Sequence, residues 1–304
     1  MVQFVIEEND AHQTIIKFMR KTFNTVPLRL IYKLFRLKKI KLNGEVISDL
    51  KYYLKPNDTI IVLDNLIFKD EVEKQFASQI VLTIIYEDEY ILIIDKPHNV
   101  LIHHPVGDCL DLAVRKYLQI NNSYSFTISH VHRLDKLTRG LVIYAKKKIA
   151  LNIFHQFWNQ NNITKKYLAL LATNKELPLV VKGYIFQDIM QGKMVFSPKL
   201  ELPNCKVAVT KFKMFKKVLK FSWYEIQLIT GRKHQIRASC EYLKTPIVGD
   251  IKYGSKYNLN DRIMLFAYKL EFKNLPVPLD YLNNKQFVLS DIDKILEINS
   301  RKIN

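Results

Sequence analysis

Cysteine is scarce in this chain of 304 residues, with only Cys109, Cys205 and Cys240 present. They are odd in number, far apart and form no C-x-x-C pair, which argues against a disulfide framework and a zinc ribbon. They read as reduced thiols used in packing. Long apolar runs are also lacking, and the opening "MVQFVIEEND" has no basic region followed by an apolar stretch and a small-residue cleavage site. A soluble, cytoplasmic protein with no membrane partner is therefore expected. There is no internal repeat and no low-complexity tail. The length suits one large and one small domain or two medium ones, either arrangement able to bury its own core.

Acids are few beside bases, 29 Asp and Glu against 47 Lys and Arg, for a formal charge of +18. Hydrophobic and aromatic content of 48% and 12% is that of an ordered globule, so the charge does not belong to a disordered tail. A Lys-, Asn- and Ile-rich genome would raise the charge everywhere. Here the bases cluster instead, which points to a polyanionic partner, nucleic acid first.

From Thr14 to Leu63 the pattern predicts helix, turn, helix and a short curled sheet. Pro27 fits the first turn of the second helix, with Thr25 as its cap. Arg29, Lys33 and Arg36 recur at helical spacing on one face, and Leu30, Leu34 and Leu37 are expected on the core side. In "KIKLNGEVI", Asn43-Gly44 is a strong hairpin signal because both residues tolerate positive φ. Lys38, Lys39 and Lys41 then lie beside the basic helix and extend one basic surface. Residues 64–79 lose periodicity and turn acidic, as a linker does. The division expected is 1–66 for a small first domain, 67–79 for the linker and 80–304 for a second domain.

In the second domain "IVLTIIYEDEYILIIDKP" predicts a hairpin. Strands follow near 141–145, 166–172, 206–215 and 221–229, and helices near 108–119, 149–160 and 233–243. Strands in consecutive groups with few helices between them favour an α+β fold with a mixed, largely antiparallel central sheet.

Two segments carry chemistry. "HRLDKLTRG" enters the apolar strand "LVIYA", so Asp135 sits on a loop anchored by a rigid neighbour. Arg133 is expected to hold it ionised, either as an activated carboxylate or as a loop-closing ion pair. "LITGRKHQIR" reads as strand, glycine turn and helix. Arg232, Lys233 and His234 gather at the helix start, where backbone amides favour a phosphate. Arg237 follows on the helix flank, with a cleft or Glu241 as its target. His103, His104, His130 and His132 lack cysteine or carboxylate at ligand spacing, so no metal is expected. A glycoside hydrolase would need a second acid, whereas the motifs around Asp135 offer arginines.

Taken in order, "DKPHNVLIHHP", "HRLDKLTRGLVIYAK", "ITKKYLALL" and "LITGRKHQIR…PIVGDIKYG" resemble the RluA-type pseudouridine synthases over residues 80 to about 275. The first domain resembles the S4 RNA-binding module, giving a small α/β S4-like domain ahead of a pseudouridine synthase fold. Asn99, Arg139, Ser239 and Lys244 depart from the family pattern, the first tolerable if the backbone is left-handed there. The resemblance implies isomerisation of uridine in RNA by cleavage of the glycosidic bond, rotation of the base and reattachment through C5, with no cofactor. Asp135 would start the cleavage as nucleophile or proton-abstracting base. Tyr167 would stack on the base and take part in the C5 deprotonation, and Arg237 would pair with the carboxylate. Arg133 would fill the space left by the flipped nucleotide, whose extrusion costs a few kcal/mol. Large-subunit (23S) ribosomal RNA or a pre-50S particle is favoured over transfer RNA as partner, with a monomer as the default. A non-catalytic RNA-binding or assembly factor is the other class, although binding alone requires none of Asp135, Tyr167 and Arg237.

If the basic helix carries RNA, Lys33→Glu with Arg36→Glu weakens binding and flattens its salt dependence by about 0.7–0.9 per lost phosphate contact. Titration of RNA at several salt concentrations tests this, and unchanged affinity removes the assignment.

Overall fold

The computed structural model describes residues 1–63, 78–118, 123–158, 162–200 and 203–297. Its N-terminal unit contains β1 (Val2–Val5), α1 (Ile15–Thr22), α2 (Leu28–Arg36), β2 (Ile40–Leu42), β3 (Glu45–Val46) and β4 (Thr59–Val62). The strands form one sheet in the order β1-β4-β2-β3, and the two helices close over it around a core of its own that includes Phe4, Phe18, Ile31, Phe35 and Ile60. Asn43 and Gly44, at φ 50° and 90°, make the expected hairpin between β2 and β3.

Two expectations about α2 are corrected. Its buried side chains are Ile31, Leu34 and Phe35, while Leu30 and Leu37 are 41% and 50% exposed. The core stripe thus lies directly opposite Arg29, Lys33 and Arg36, about one residue's rotation from the expected leucine face. Thr25 does not cap the helix. Pro27 precedes it with its ring-fixed φ of −57°, and the Pro27 carbonyl accepts from Leu30 N–H at 2.8 Å.

The second unit adds β5 (Thr83–Glu87), β6 (Ile91–Lys96), α3 (Leu110–Leu118), β7 (Ser129–His130), β8 (Arg139–Ala145), α4 (Lys148–Phe157) and β9 (Ile163–Leu171). It continues with β10 (Val180–Asp188), β11 (Lys193–Ser197), β12 (Lys206–Val218), β13 (Phe221–Leu228), α5 (Gln235–Tyr242), β14 (Leu265–Phe272), β15 (Gln286–Val288) and α6 (Ile292–Leu296). One sheet runs β11-β10-β12-β13-β9-β14-β8-β6-β5, with β7 on β8 and β15 on β14. Among the described residues only β14 and β8 pair in parallel, so the sheet is mixed and largely antiparallel. The last residues of the expected first domain, 64–66, and residues 67–77 of the expected linker lie outside the described residues. Ser78 and Gln79 already bind the second unit, through Lys116 Nζ to Ser78 O and Gln79 N to Asp108 Oδ2.

β6 and β8 lie toward the β5 edge of the sheet, and their side chains are buried on both faces from Ile91 to Ile94 and from Leu141 to Ala145. Consecutive aliphatic residues suit that environment because neither face meets water. At the start of β8, Gly140 has φ 137°, and a Cβ there would lie 2.3 Å from the carbonyl oxygen of Ala267 on β14. The two units also grip each other. The buried Asp10 carboxylate accepts from Ser123 Oγ, Ser125 Oγ and the amides of Tyr124 and Ser125, at 2.6–2.9 Å. Tyr124 meets Phe4 edge-on at 4.9 Å, and Lys148 Nζ donates to Ala11 O at 2.6 Å. Among the described residues no helix is long and apolar enough to cross a membrane.

Gly140→Ala forces β8 away from β14 and is expected to cost about 3 kcal/mol or more, combining backbone strain with overpacking. Urea unfolding measures it, and a loss under 1 kcal/mol would mean the strands separate easily.

Candidate active site

Asp135 lies on the turn between β7 and β8, closed by Thr138 N–H donating to the Asp135 carbonyl at 3.0 Å. Buried Leu134 and Thr138 anchor the turn on either side. The tight contact at Gly140 fixes its far end. Ala267 pairs with Gly140 on one side and with Tyr167 on the other, so three adjacent strands set the turn beside the tyrosine. Asp135, Tyr167 and Arg237 line one cavity of about 370 Å³.

Arg237 comes from the first turn of α5 and is 4% exposed. Its Nε and Nη2 donate to Asp250 Oδ2 and Oδ1, both at 2.7 Å, and its Nη1 lies 3.7 Å from Asp135 Oδ2. The guanidinium carbon also sits 4.6 Å from the Tyr253 ring centroid. The sequence reading offered Glu241 as the alternative partner. Glu241 instead pairs with Lys193 at 2.5 Å, and Asp250, thirteen positions along, takes the bidentate role.

The expectation that Arg133 holds Asp135 ionised is overturned. Arg133 is exposed and makes no ion pair with Asp135 among the described residues; the basic groups beside that carboxylate are Arg237 and His234. Burial is the largest influence on the Asp135 carboxyl and raises its pKa from the ordinary 3.8, with Arg237, Lys96 and Lys233 pulling the other way without prevailing. Tyr167 is buried and its phenol is shifted up, by burial first and then by the Asp135 charge.

Lys96 went unnoticed as a site residue in the sequence, where "KP" looked generic. It is wholly buried at the end of β6, and its Nζ donates to the carbonyls of Pro97, Val100 and Lys136 at 2.9–3.0 Å. Burial lowers its pKa to about 7, opposed by the charges of Asp135 and Asp95. The three carbonyls accept three protons, which only the ammonium form possesses, so this cage favours the charged form against the burial that disfavours it.

His234 also changes role. It stands in the left-handed region at φ 53° just before α5, with Nε2 3.8 Å from Asp135 Oδ1 and Nδ1 hydrogen-bonded to Tyr253 Oη at 2.8 Å. Burial, then Arg237 and Lys233, lower its pKa to about 4, so at neutral pH it is an uncharged member of the cavity and not a cation for phosphate. Arg232 and Lys233 remain exposed at the rim, with Arg232 Nε donating to Val207 O. Arg29, Lys33, Arg36 and Lys38 are exposed and Lys39 and Lys41 half-exposed, all on the N-terminal unit and none lining the cavity.

Three neighbouring bases are paired within the protein: Arg139 bridges Asp95 and Asp291, Lys146 binds Glu87, and Lys147 lies 3.6 Å from Glu89. His103 and His130 both bind Asp111 at 3.0 Å, while His132 is buried and stacks on Trp158. Among the described residues no group of three or more His, Cys, Asp or Glu is arranged to hold a metal. Asn99 and Lys244 occupy the left-handed region at φ 63° and 56°, so for Asn99 the expected backbone condition is met.

A family model for RNA pseudouridylate synthase matches residues 90–242. The chain is 43% identical over 300 residues to a Mycoplasma capricolum protein named as an uncharacterized RNA pseudouridine synthase, covering 95% of this chain and 97% of that one. It is 33% identical to the ribosomal large subunit pseudouridine synthase C of Buchnera aphidicola subsp. Baizongia pistaciae, over 91% and 93% of the two chains. Human RNA pseudouridylate synthase domain containing 1 shares the fold at a TM-score of 0.53, with 24% identity over 71% of this chain and 94% of that one. The chain belongs to the RNA pseudouridylate synthase family. It is accordingly an enzyme, an isomerase acting on uridine in RNA, and the sheet described above is the pseudouridine synthase fold.

Asp250→Ala would leave Arg237 buried without its bidentate partner and is expected to cost about 3–5 kcal/mol. Lys96→Met strips three buried carbonyls of their donor and is expected to cost about 3 kcal/mol or more. Denaturant midpoints check both, and a near-neutral Lys96→Met would dismiss the cage.

Proposed function

We propose that the protein isomerises specific uridines of large-subunit (23S) ribosomal RNA, free or in a pre-50S particle, acting as a cytoplasmic monomer. The observation that carries the reading is the convergence of Asp135, Tyr167 and Arg237 on one cavity. Asp135 begins cleavage of the bond between C1′ and N1, as nucleophile or as base toward the sugar. Arg237, held by Asp250, steadies the carboxylate. Tyr167 stacks on the uracil while it turns, and burial keeps its phenol protonated, so in the last step its oxygen takes the C5 proton as the phenolic proton passes to the Asp135 carboxylate. Bond breaking and making balance within the substrate, so the reaction needs no cofactor, oxidant or energy source.

The N-terminal unit works as an S4-like RNA reader in this proposal. The exposed face of α2 carries Arg29, Lys33 and Arg36, and Lys38, Lys39 and Lys41 continue it toward the hairpin. Phosphate contacts there offset the cost of unstacking the target base. Arg133, free of Asp135 and at the cavity wall, fills the gap left in the RNA stack, while Arg232 and Lys233 hold strand phosphates at the rim.

The test is base-resolved mapping of pseudouridine in ribosomal and transfer RNA incubated with wild type or Asp135→Asn. The expected result is modification of discrete large-subunit positions by wild type and none by the variant. Modification confined to transfer RNA would move the substrate, and an active Asp135→Asn would remove the carboxylate from the chemistry. The folded pKa of Asp135 is raised, so the acid limb of activity should lie above the ordinary carboxylate range. The same shift means ionised Asp135 opposes folding above its folded pKa, an effect that fades as pH falls through the folded pKa and is gone below the unfolded value. Asp135→Asn should therefore be more stable than wild type at neutral pH and lose that advantage in acid.

A further inference from the structure

Lys165 and Tyr167 lie two positions apart on β9, so both project from the same face of the sheet, and both line the cavity. Lys166, on the opposite face, sits 3.7 Å from each of Glu225 and Glu271. Lys165 has no such arrangement. Among the described residues its ammonium makes no hydrogen bond and no ion pair, and its contact is with the Trp158 ring, 4.3 Å from the centroid. Trp158 is braced by the buried His132, stacked at 4.9 Å with 29° between the rings. Burial alone lowers the Lys165 pKa to about 8, with no carboxylate acting against it. The cations that act on Asp135 are Arg237, Lys96 and Lys233, so Lys165 is spare to that network.

A largely buried ammonium on a rigid aromatic support, opening into a ligand cavity without a counter-ion, lacks an anion. A uracil carbonyl is neutral and compensates such a charge poorly, whereas the strand that delivers the uridine brings phosphates. Building on the function proposed above, we infer that Lys165, propped on Trp158, forms a subsite for one backbone phosphate adjoining the flipped uridine. The subsite fixes the strand in the cavity that Arg237 also lines, so that Asp135 and Tyr167 meet the same nucleoside in one register. Trp158 and His132 act as positioning residues for the ammonium.

The experiment uses the full chain and an RNA whose modified uridine has been mapped. Lys165→Met is expected to raise KM and weaken binding roughly tenfold or more, with kcat at saturation largely retained. Its salt slope should be shallower by about 0.7–0.9, the release of one phosphate contact. Lys165→Arg should restore both. Single methylphosphonate linkages placed around the target then locate the contact. One position should weaken wild type as much as Lys165→Met does and have no further effect in that variant. Lys165→Gln repeats the measurements should Lys165→Met unfold. An unchanged salt slope, a loss in kcat alone, or additive effects at every linkage would overturn the subsite. Asp135→Asn is the control for the parent reading: if it binds RNA without modifying it while Lys165→Met behaves as wild type, only the subsite fails. If wild type neither binds nor modifies RNA, both fall.

Discussion

Arg237 reaches two carboxylates, and the inequality between them organises the site. Asp250 takes the bidentate edge at 2.7 Å, which orients the guanidinium, fills two of its donor positions and locks it to the Tyr253 ring. Asp135 receives the remaining edge at 3.7 Å, near enough to feel the charge and too far to be neutralised by a tight pair. A carboxylate bound as firmly as Asp250 would be inert. One left without any cation in this enclosure would take up a proton. The caged charge of Lys96 supports the same balance from below, and His234, uncharged at neutral pH, closes the other side without adding to it.

That balance relies on backbone geometry more than on side-chain contacts. The turn carrying Asp135 is pinned where Gly140 meets Ala267, and the same Ala267 lies in register with Tyr167. Carboxylate and phenol are thus fixed by one point of close strand packing, on the only parallel pair among the described strands. The first unit adds a second rigid relation. Asp10, with four hydrogen bonds into residues 123–125, ties the N-terminal unit to the unit that holds the cavity.

Much of this was legible in the sequence because it depended on local rules. The hairpin at Asn43-Gly44, the buried strand after Gly140 and the helix after the glycine turn each follow from turn chemistry or from the period of apolar residues. The motif order carried Asp135, Tyr167 and Arg237 together before any geometry was known. Other features could not be read that way. β14 arrives about a hundred residues after β9 and inserts between it and β8, and no local pattern says which strands become neighbours. The buried face of α2 was not legible because two adjacent faces are apolar, one with Leu30 and Leu37 and the other with Ile31 and Phe35, and the sheet covers the second.

The sequence by itself determined which chemistry is present: a positively charged chain, a loop carboxylate entering a buried strand, a tyrosine on a strand and an arginine on a helix, all set by residue type and local periodicity. Tertiary structure alone decided which charges meet. It paired Arg237 with Asp250 and not Glu241, brought Arg237 and not Arg133 to Asp135, drew Arg139 to Asp95 and Asp291, and buried Lys96 under the turn. The reason is physical. An ion pair is fixed by distances of a few ångströms and by the water excluded around it, and both are products of long-range packing that spacing along the chain does not encode.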